Sequence, residues 1–203
     1  MRLILGSDLH GYLPVSIPSG DLMILAGDIL PTNEVHDFVF RKLNPWLQNV
    51  PVKNIVLTWG NHDWAAFEDL ISVHYAIVLI EQTVTISGLK IYGSPWSLPF
   101  RKWAWMAPES TLEKIYRDIP DDVDIIVSHA PPYGICDKAI DGRLCGSRSL
   151  LKRMKTLSKL KLIVCGHIHE ARGRQGVVAN VSSVYNFESW YVPISDPWTV
   201  VDI

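Results

Sequence analysis

Nine side chains in this 203-residue sequence have the types and spacing to bind metal ions and handle a phosphoryl group: Asp8, His10, Asp28, Asn61, His62, Asp63, His129, His167 and His169. They are carboxylates, imidazoles and one amide, with no thiol among them. Such donors suit Mn, Fe, Zn, Ni or Co better than a thiolate-rich zinc cage or an all-oxygen calcium loop. In Asp8-Leu9-His10 and His167-Ile168-His169, the one-residue gap puts both side chains on one face of an extended segment, so each pair reaches inward together. A set this large can hold two ions, and two metals ~3.5–4 Å apart can bind both oxygens of a phosphoryl group and generate hydroxide near neutral pH. Taken singly, each residue has a plainer use: an Asp after a strand caps or turns, an Asn turns, a His sits in a loop or core. The case rests on the set in its order.

The elements that must position these groups are legible as apolar runs. Residues 2–7, 22–26, 54–58, 124–128 and 160–165 read as short buried strands, and each hands over to polar, metal-capable residues. Helical spacing follows at 35–48, with Pro45 as a potential break, at 109–118, and at 147–157 with Ser147 as N-cap. Strand–helix alternation points to an α/β architecture, whose ligand groups gather at the carboxyl ends of the strands. Two stretches break the alternation. Residues 84–86 and 90–92 flank Ser87-Gly88-Leu89 as a hairpin, and 177–181, 190–194 and 199–201 read as further β structure. A mixed two-sheet sandwich therefore fits better than a doubly wound parallel sheet, with residues 1–203 as one domain.

Asp8-Leu9-His10, Gly27-Asp28, Gly60-Asn61-His62-Asp63, Ser128-His129 and Gly166-His167-Ile168-His169, in that order, resemble the calcineurin-like metallophosphoesterase superfamily. The flanks, Ser128-His129-Ala130-Pro131-Pro132 and Cys165 to Glu170, resemble its small capless branch of metallophosphoesterase-domain-containing proteins. Several members of that branch act on cyclic nucleotides or similar diesters. The resemblance implies a four-layer α/β/β/α sandwich with two divalent transition-metal ions at the strand ends, Mn first among the candidates. By position, Asp8, His10 and His169 would hold one ion, Asn61, His129 and His167 the other, and Asp28 would bridge them. His62 would contact the phosphate and assist the leaving oxygen, with Asp63 orienting its ring by a hydrogen bond. A metal-bridging hydroxide would attack phosphorus in line, with no covalent enzyme intermediate. Some relatives replace the position matched by His62 or His167 and lose a metal or activity; this sequence keeps both.

Composition narrows the partners. A net charge of −2 argues against a mainly electrostatic nucleic-acid binder, so a small phosphoester or nucleotide substrate is expected. No apolar run approaches the ~20 residues that span a bilayer, and no signal-peptide core is present. Cys136, Cys145 and Cys165 are odd in number and widely spaced, as in a reduced, cytoplasmic protein. The Trp-rich segment 96–105 reads as packed aromatic core or as a wall of the substrate cleft, with Arg101 and Lys102 as a loop edge or a phosphate contact. Arg143 and Arg148 leave the same choice, while Lys152, Arg153 and Lys155 read as a solvated helix face. Asn180 and Asn186 read as turn or strand-edge amides, or as hydrogen-bond partners near the site. Two other functions stay open: the same chemistry on phosphomonoesters or phosphoproteins, and a binding module that keeps the fold without catalysis.

Overall fold

Strand β1 (Arg2–Gly6) buries side chains on both of its faces: Leu3 and Leu5 point one way, Ile4 the other. β2 (Leu22–Ala26) and β3 (Asn54–Thr58) pair with it in parallel and repeat the pattern, with Leu22, Ile24 and Val56 on the first face and Met23, Leu25, Ile55 and Leu57 on the second. A strand covered on both sides reads as an unbroken apolar run, which is why these three were so clear in the sequence. The short β4 (Ile77–Val78) extends this sheet in parallel, and β13 (Thr199–Asp202) closes its other edge antiparallel to β1.

The second sheet follows the order β5-β6-β7-β8-β10-β9. Its hairpin, β5 (Gln82–Ile86) and β6 (Leu89–Ser94), turns through Ser87 and Gly88, both with positive φ, as a two-residue turn of this twist requires. β7 (Ile125–Ser128), β8 (Leu162–Cys165) and β10 (Val178–Asn180) run parallel to β6, while β9 (Gly173–Gln175) is antiparallel at the edge. The two sheets meet face to face, with Leu3, Leu5, Ile24 and Val56 packed against Ile91, Ile125, Val127, Leu162 and Val164. Helices cover both outer faces. The first sheet is covered by α1 (Val35–Phe38), a π turn (Val39–Leu43) and α2 (Asn44–Asn49), through Phe38, Val39, Leu43 and Leu47. The second is covered by α4 (Glu109–Arg117) and α5 (Arg148–Met154), through Leu112, Tyr116 and Leu150. This is the expected α/β/β/α sandwich of two mixed sheets, seen in a computed structural model that describes residues 1–187 and 190–203.

Local differences from the sequence reading have local causes. Pro45 does not end the first helix. It lacks the N–H that would bond back to Arg41, and the chain widens into the π turn just before it and runs on to Asn49. Asp124 stands just outside β7, its carboxyl accepting from the Lys90 amide and pairing with Lys161 at 2.9 Å. Ser147 does cap α5, its oxygen accepting from the Leu150 amide. The basic face of α5 is solvated at Lys152, whose ion pair with Glu113 at 2.8 Å is exposed, and at Lys155, whereas Arg153 is largely covered and meets Asp121 at 2.6 Å. The short α3 (Trp64–Phe67) and the ribbon of β11 (Val184–Phe187) with β12 (Trp190–Pro193) complete the chain.

Candidate active site

The carboxyl ends of β1, β2, β3, β7 and β8 converge, because parallel pairing puts them in register: Gly6 lies opposite Leu25, Ala26 opposite Thr58, and Val127 opposite Val164. The loops that follow are tied to one another by backbone hydrogen bonds. Asp8 N–H donates to the Gly27 carbonyl, His10 N–H to that of Asp28, and Gly166 N–H to that of His129. Four candidate residues sit in left-handed backbone, Asp8 (φ 56°), His10 (45°), Asp28 (52°) and His167 (68°). Non-glycine residues there cost on the order of 1–3 kcal/mol each and persist only where the surroundings over-determine them. Two glycines let the loops close. A Cβ on Gly60 would stand 2.3 Å from Asp28 Oδ1, and one on Gly166 would stand 2.2 Å from Asp8 Oδ2.

The side chains gather accordingly. His169 Nε2 lies 3.3 Å from Asp8 Oδ1 and 3.4 Å from His10 Nε2. Asp28 Oδ2 lies 3.8 Å from His10 Nε2 and 3.4 Å from His129 Nε2, which itself faces Asn61 Oδ1 at 3.0 Å. His129 donates Nδ1–H to the Ala26 carbonyl, so Nε2 is the nitrogen it turns toward the site. The His167 ring stands edge-on to His129 with centroids 5.0 Å apart, and its backbone N–H reaches the Asp8 carboxylate. Asp8, Asp28, Asn61 and His129 are fully buried or nearly so.

Two groups of these residues could hold a metal ion: Asp8 with His10 and His169, and Asp8 with Asp28 and His129. The donors are oxygen and imidazole nitrogen, buried and convergent, and the nearest thiol, Cys165, points away toward the Ala179 carbonyl. That set fits divalent transition metals. The charge balance agrees. Burial opposes the Asp8 and Asp28 carboxylates, but adjacent imidazoles hold Asp8 down at about 2 and Asp28 well below the usual carboxylate range. Burial also acts against a charged His129, yet Asp28 prevails and pushes it up to about 9, so a cation is stabilised beside Asp28. Burial takes His10 and His167 down to about 3, leaving them neutral, as a metal ligand must be.

The matching family is the calcineurin-like phosphoesterases, whose pattern covers residues 1–171. The chain belongs to this family. It is 30% identical to human metallophosphoesterase domain-containing protein 1, in a match that takes in all of this chain and 71% of the relative. A UPF0046 protein of Caenorhabditis elegans is also 30% identical, over 81% of this chain and 66% of that protein. Membership implies metal-dependent phosphoester hydrolysis, and the calcineurin-like resemblance of the sequence is thereby confirmed.

One expected contact is not made. Asp63 does not reach the His62 ring. Its carboxyl accepts from the backbone amides of Ile29 (3.0 Å), Leu30 (2.9 Å) and Gly60 (2.8 Å), so it pins the Asp28 loop to the Asn61 loop. It makes no side-chain cap for α3 either. Burial, then the charge of Asp28, push its carboxyl up to about 8 against those amides. The His62 backbone amide bonds Asp28 Oδ1, and burial lowers its ring's pKa.

A cleft of about 290 Å³ opens onto Asp28, Asn61 and His62, with Phe100, Arg101, Trp103 and Tyr191 around it. The Trp-rich segment is therefore divided. Trp105 is buried against Trp96 and Phe67, while Trp103 lies 4.2 Å from the His62 ring in the cleft. Arg101 also lines the cleft, whereas Arg143 pairs with Asp141 and Arg148 lies over the Tyr133 ring. Asn180 is more than a strand-edge amide. Its side chain donates to the carbonyls of Gly166 and Ile168 and so braces the His167–His169 turn. The side chain of Asn186 lies outside the described residues. Tyr191 went unnoticed in the sequence, where it was one residue in a β run. Only the fold-back of the β11–β12 ribbon brings it over the site.

Proposed function

We propose that this chain hydrolyses phosphodiesters, cyclic nucleotides among the candidates, with two divalent ions, Mn first, at this site. Asp8, His10 and His169 would hold one ion and Asn61, His129 and His167 the other. The position of Asp28 carries the reading: one carboxylate oxygen stands within 4 Å of an imidazole nitrogen from each set, where a shared ligand belongs. When bound, such a pair supplies an activated water near neutral pH and neutralises charge on the phosphoryl oxygens. The chain's own groups do the rest. His62, which lines the cleft and bonds Asp28 through its backbone amide, would meet the leaving oxygen. Arg101 offers a positive charge to the phosphate, and Phe100, Trp103 and Tyr191 offer apolar walls to an ester substituent. One arginine and three aromatic walls suit a singly charged diester better than a doubly charged monoester. The three free thiols suit a reducing, cytoplasmic setting.

Parallel assays with bis(p-nitrophenyl) phosphate and p-nitrophenyl phosphate in added Mn²⁺ test this. The diester should turn over faster, and a chelator should abolish both rates. A faster monoester rate overturns the diester preference, and chelator-resistant turnover overturns the metal chemistry.

A further inference from the structure

We propose that Tyr191 is a positioning residue, whose hydroxyl fixes the His62 ring at the leaving-group side of the cleft; this rests on the hydrolytic reading above. The Tyr191 oxygen lies 3.2 Å from His62 Nε2. Its ring stacks on His10 at 3.7 Å between centroids and 3° between planes, and it meets the His169 ring edge-on at 5.6 Å. One side chain thus touches two residues of the first candidate ion site and the candidate acid beside it.

His62 needs such a partner. Its backbone amide is spent on Asp28, the neighbouring Asp63 carboxyl is spent on three backbone amides, and Trp103 meets only the ring at 4.2 Å. An imidazole held by one backbone bond can still rotate about its side-chain torsions, and the Tyr191 hydroxyl is the polar contact that fixes its direction. The ribbon that carries Tyr191 is built to deliver it. β11 and β12 pair with each other and join neither large sheet, and an isolated hairpin is marginally stable. Its base is fixed beside the site: Ser183 N–H donates to the Ser7 carbonyl, next to Asp8, and Ile194 N–H donates to the Ser183 carbonyl.

The hydroxyl can be separated from the ring. A phenylalanine would stack on His10 equally well and lose only the bond to His62. Histidine-ring ¹⁵N NMR spectra of the metal-free wild type, Tyr191→Phe and Tyr191→Ala report the contact without catalysis. Turnover of bis(p-nitrophenyl) phosphate and of diphenyl phosphate in Mn²⁺ reports its use. In Tyr191→Phe the His62 Nε2 resonance should move while those of His36 and His74, distant surface rings, stay. Its kcat on diphenyl phosphate should fall about three- to tenfold further than on the nitrophenyl ester, the size of one hydrogen bond, with KM unchanged. An unmoved His62 resonance overturns the proposal, as does an equal loss on both esters. An effect confined to Tyr191→Ala also overturns it, because the ring would then serve only as a wall. If the wild type hydrolyses neither ester, the functional reading fails, and the NMR spectra still decide the contact.

Discussion

Gly60→Ala is a test of how tightly the site is built. The added Cβ would stand 2.3 Å from Asp28 Oδ1, 2.6 Å from the Asp28 nitrogen and 2.6 Å from His129 Cε1. Two of those neighbours belong to one loop and the third to a fully buried ring, so relief to 3.0 Å requires a shift of about 0.7 Å at Asp28. Gly60 is not in the left-handed region, so alanine itself is conformationally acceptable there and should gain about 0.4–1 kcal/mol through the unfolded chain. Overpacking a tight interior costs about 1–3 kcal/mol, which wins. For a domain of this size the net loss lowers the melting temperature by roughly 2–6 °C. The effect on turnover should be larger, since a displacement near 1 Å in a reacting constellation can cost about 10²-fold. Calorimetry with and without Mn²⁺, beside turnover of bis(p-nitrophenyl) phosphate, reads both. The melting temperature should drop, the Mn²⁺-induced stabilisation should shrink, and kcat should fall. If the variant melts and turns over like the wild type, the loops yield freely, and the geometric argument for Asp28 fails.

Other perturbations separate the roles of neighbouring groups. Asp63→Ala would leave the backbone amides of Ile29, Leu30 and Gly60 without their buried acceptor and cost about 1–3 kcal/mol, so the melting temperature should fall by several degrees. Its ratio of phenyl to nitrophenyl ester rates should stay as in the wild type; a changed ratio would restore a direct action of Asp63 on His62. Arg101→Ala should raise KM for the diester about tenfold with little change in kcat, and an equal loss in kcat alone would refute a simple binding role. In EDTA, the melting temperature should fall as pH rises from about 7.5 to 9. His129 is raised from 6.5 to about 9 and Asp63 from 3.8 to about 8, so folding holds protons that are lost through this window, while His10, His62 and His167, lowered from 6.5, oppose the fall only nearer 6.5, where the unfolded chain still protonates them in part. A flat or rising curve from scanning calorimetry would contradict the charge balance at the site.

What the sequence disclosed follows from what its physics expresses locally. β1, β2, β3, β7 and β8 are buried on both faces, so each is a nearly unbroken apolar run, and the polar residues after each run stand out by contrast. The ordered motifs then fixed the family. The π turn was not legible, because it arises from how Pro45 is accommodated inside an otherwise ordinary helical pattern. The Asp63 contacts were not legible either. Its partners are backbone amides at Ile29 and Leu30, which any residue could supply, so side-chain types carry no trace of them. Tyr191 is the extreme case: it is 129 residues from His62 in sequence and reaches it through a ribbon whose strands look like any other β run.

The same contacts tie the loops of the candidate ligands to one another through the backbone. Asp8, His10 and Gly166 are fixed by backbone bonds to Gly27, Asp28 and His129, and the Asp28 loop is fixed again by Asp63. None of these bonds uses an atom that a metal would need. Two carboxylates nevertheless lie buried, the Asp8 charge met first by His169 and the Asp28 charge first by the proton on His129. On the proposed reading, a divalent ion that displaces that proton would meet a negatively charged cradle whose loops are already tied together, and its affinity would come chiefly from those electrostatics.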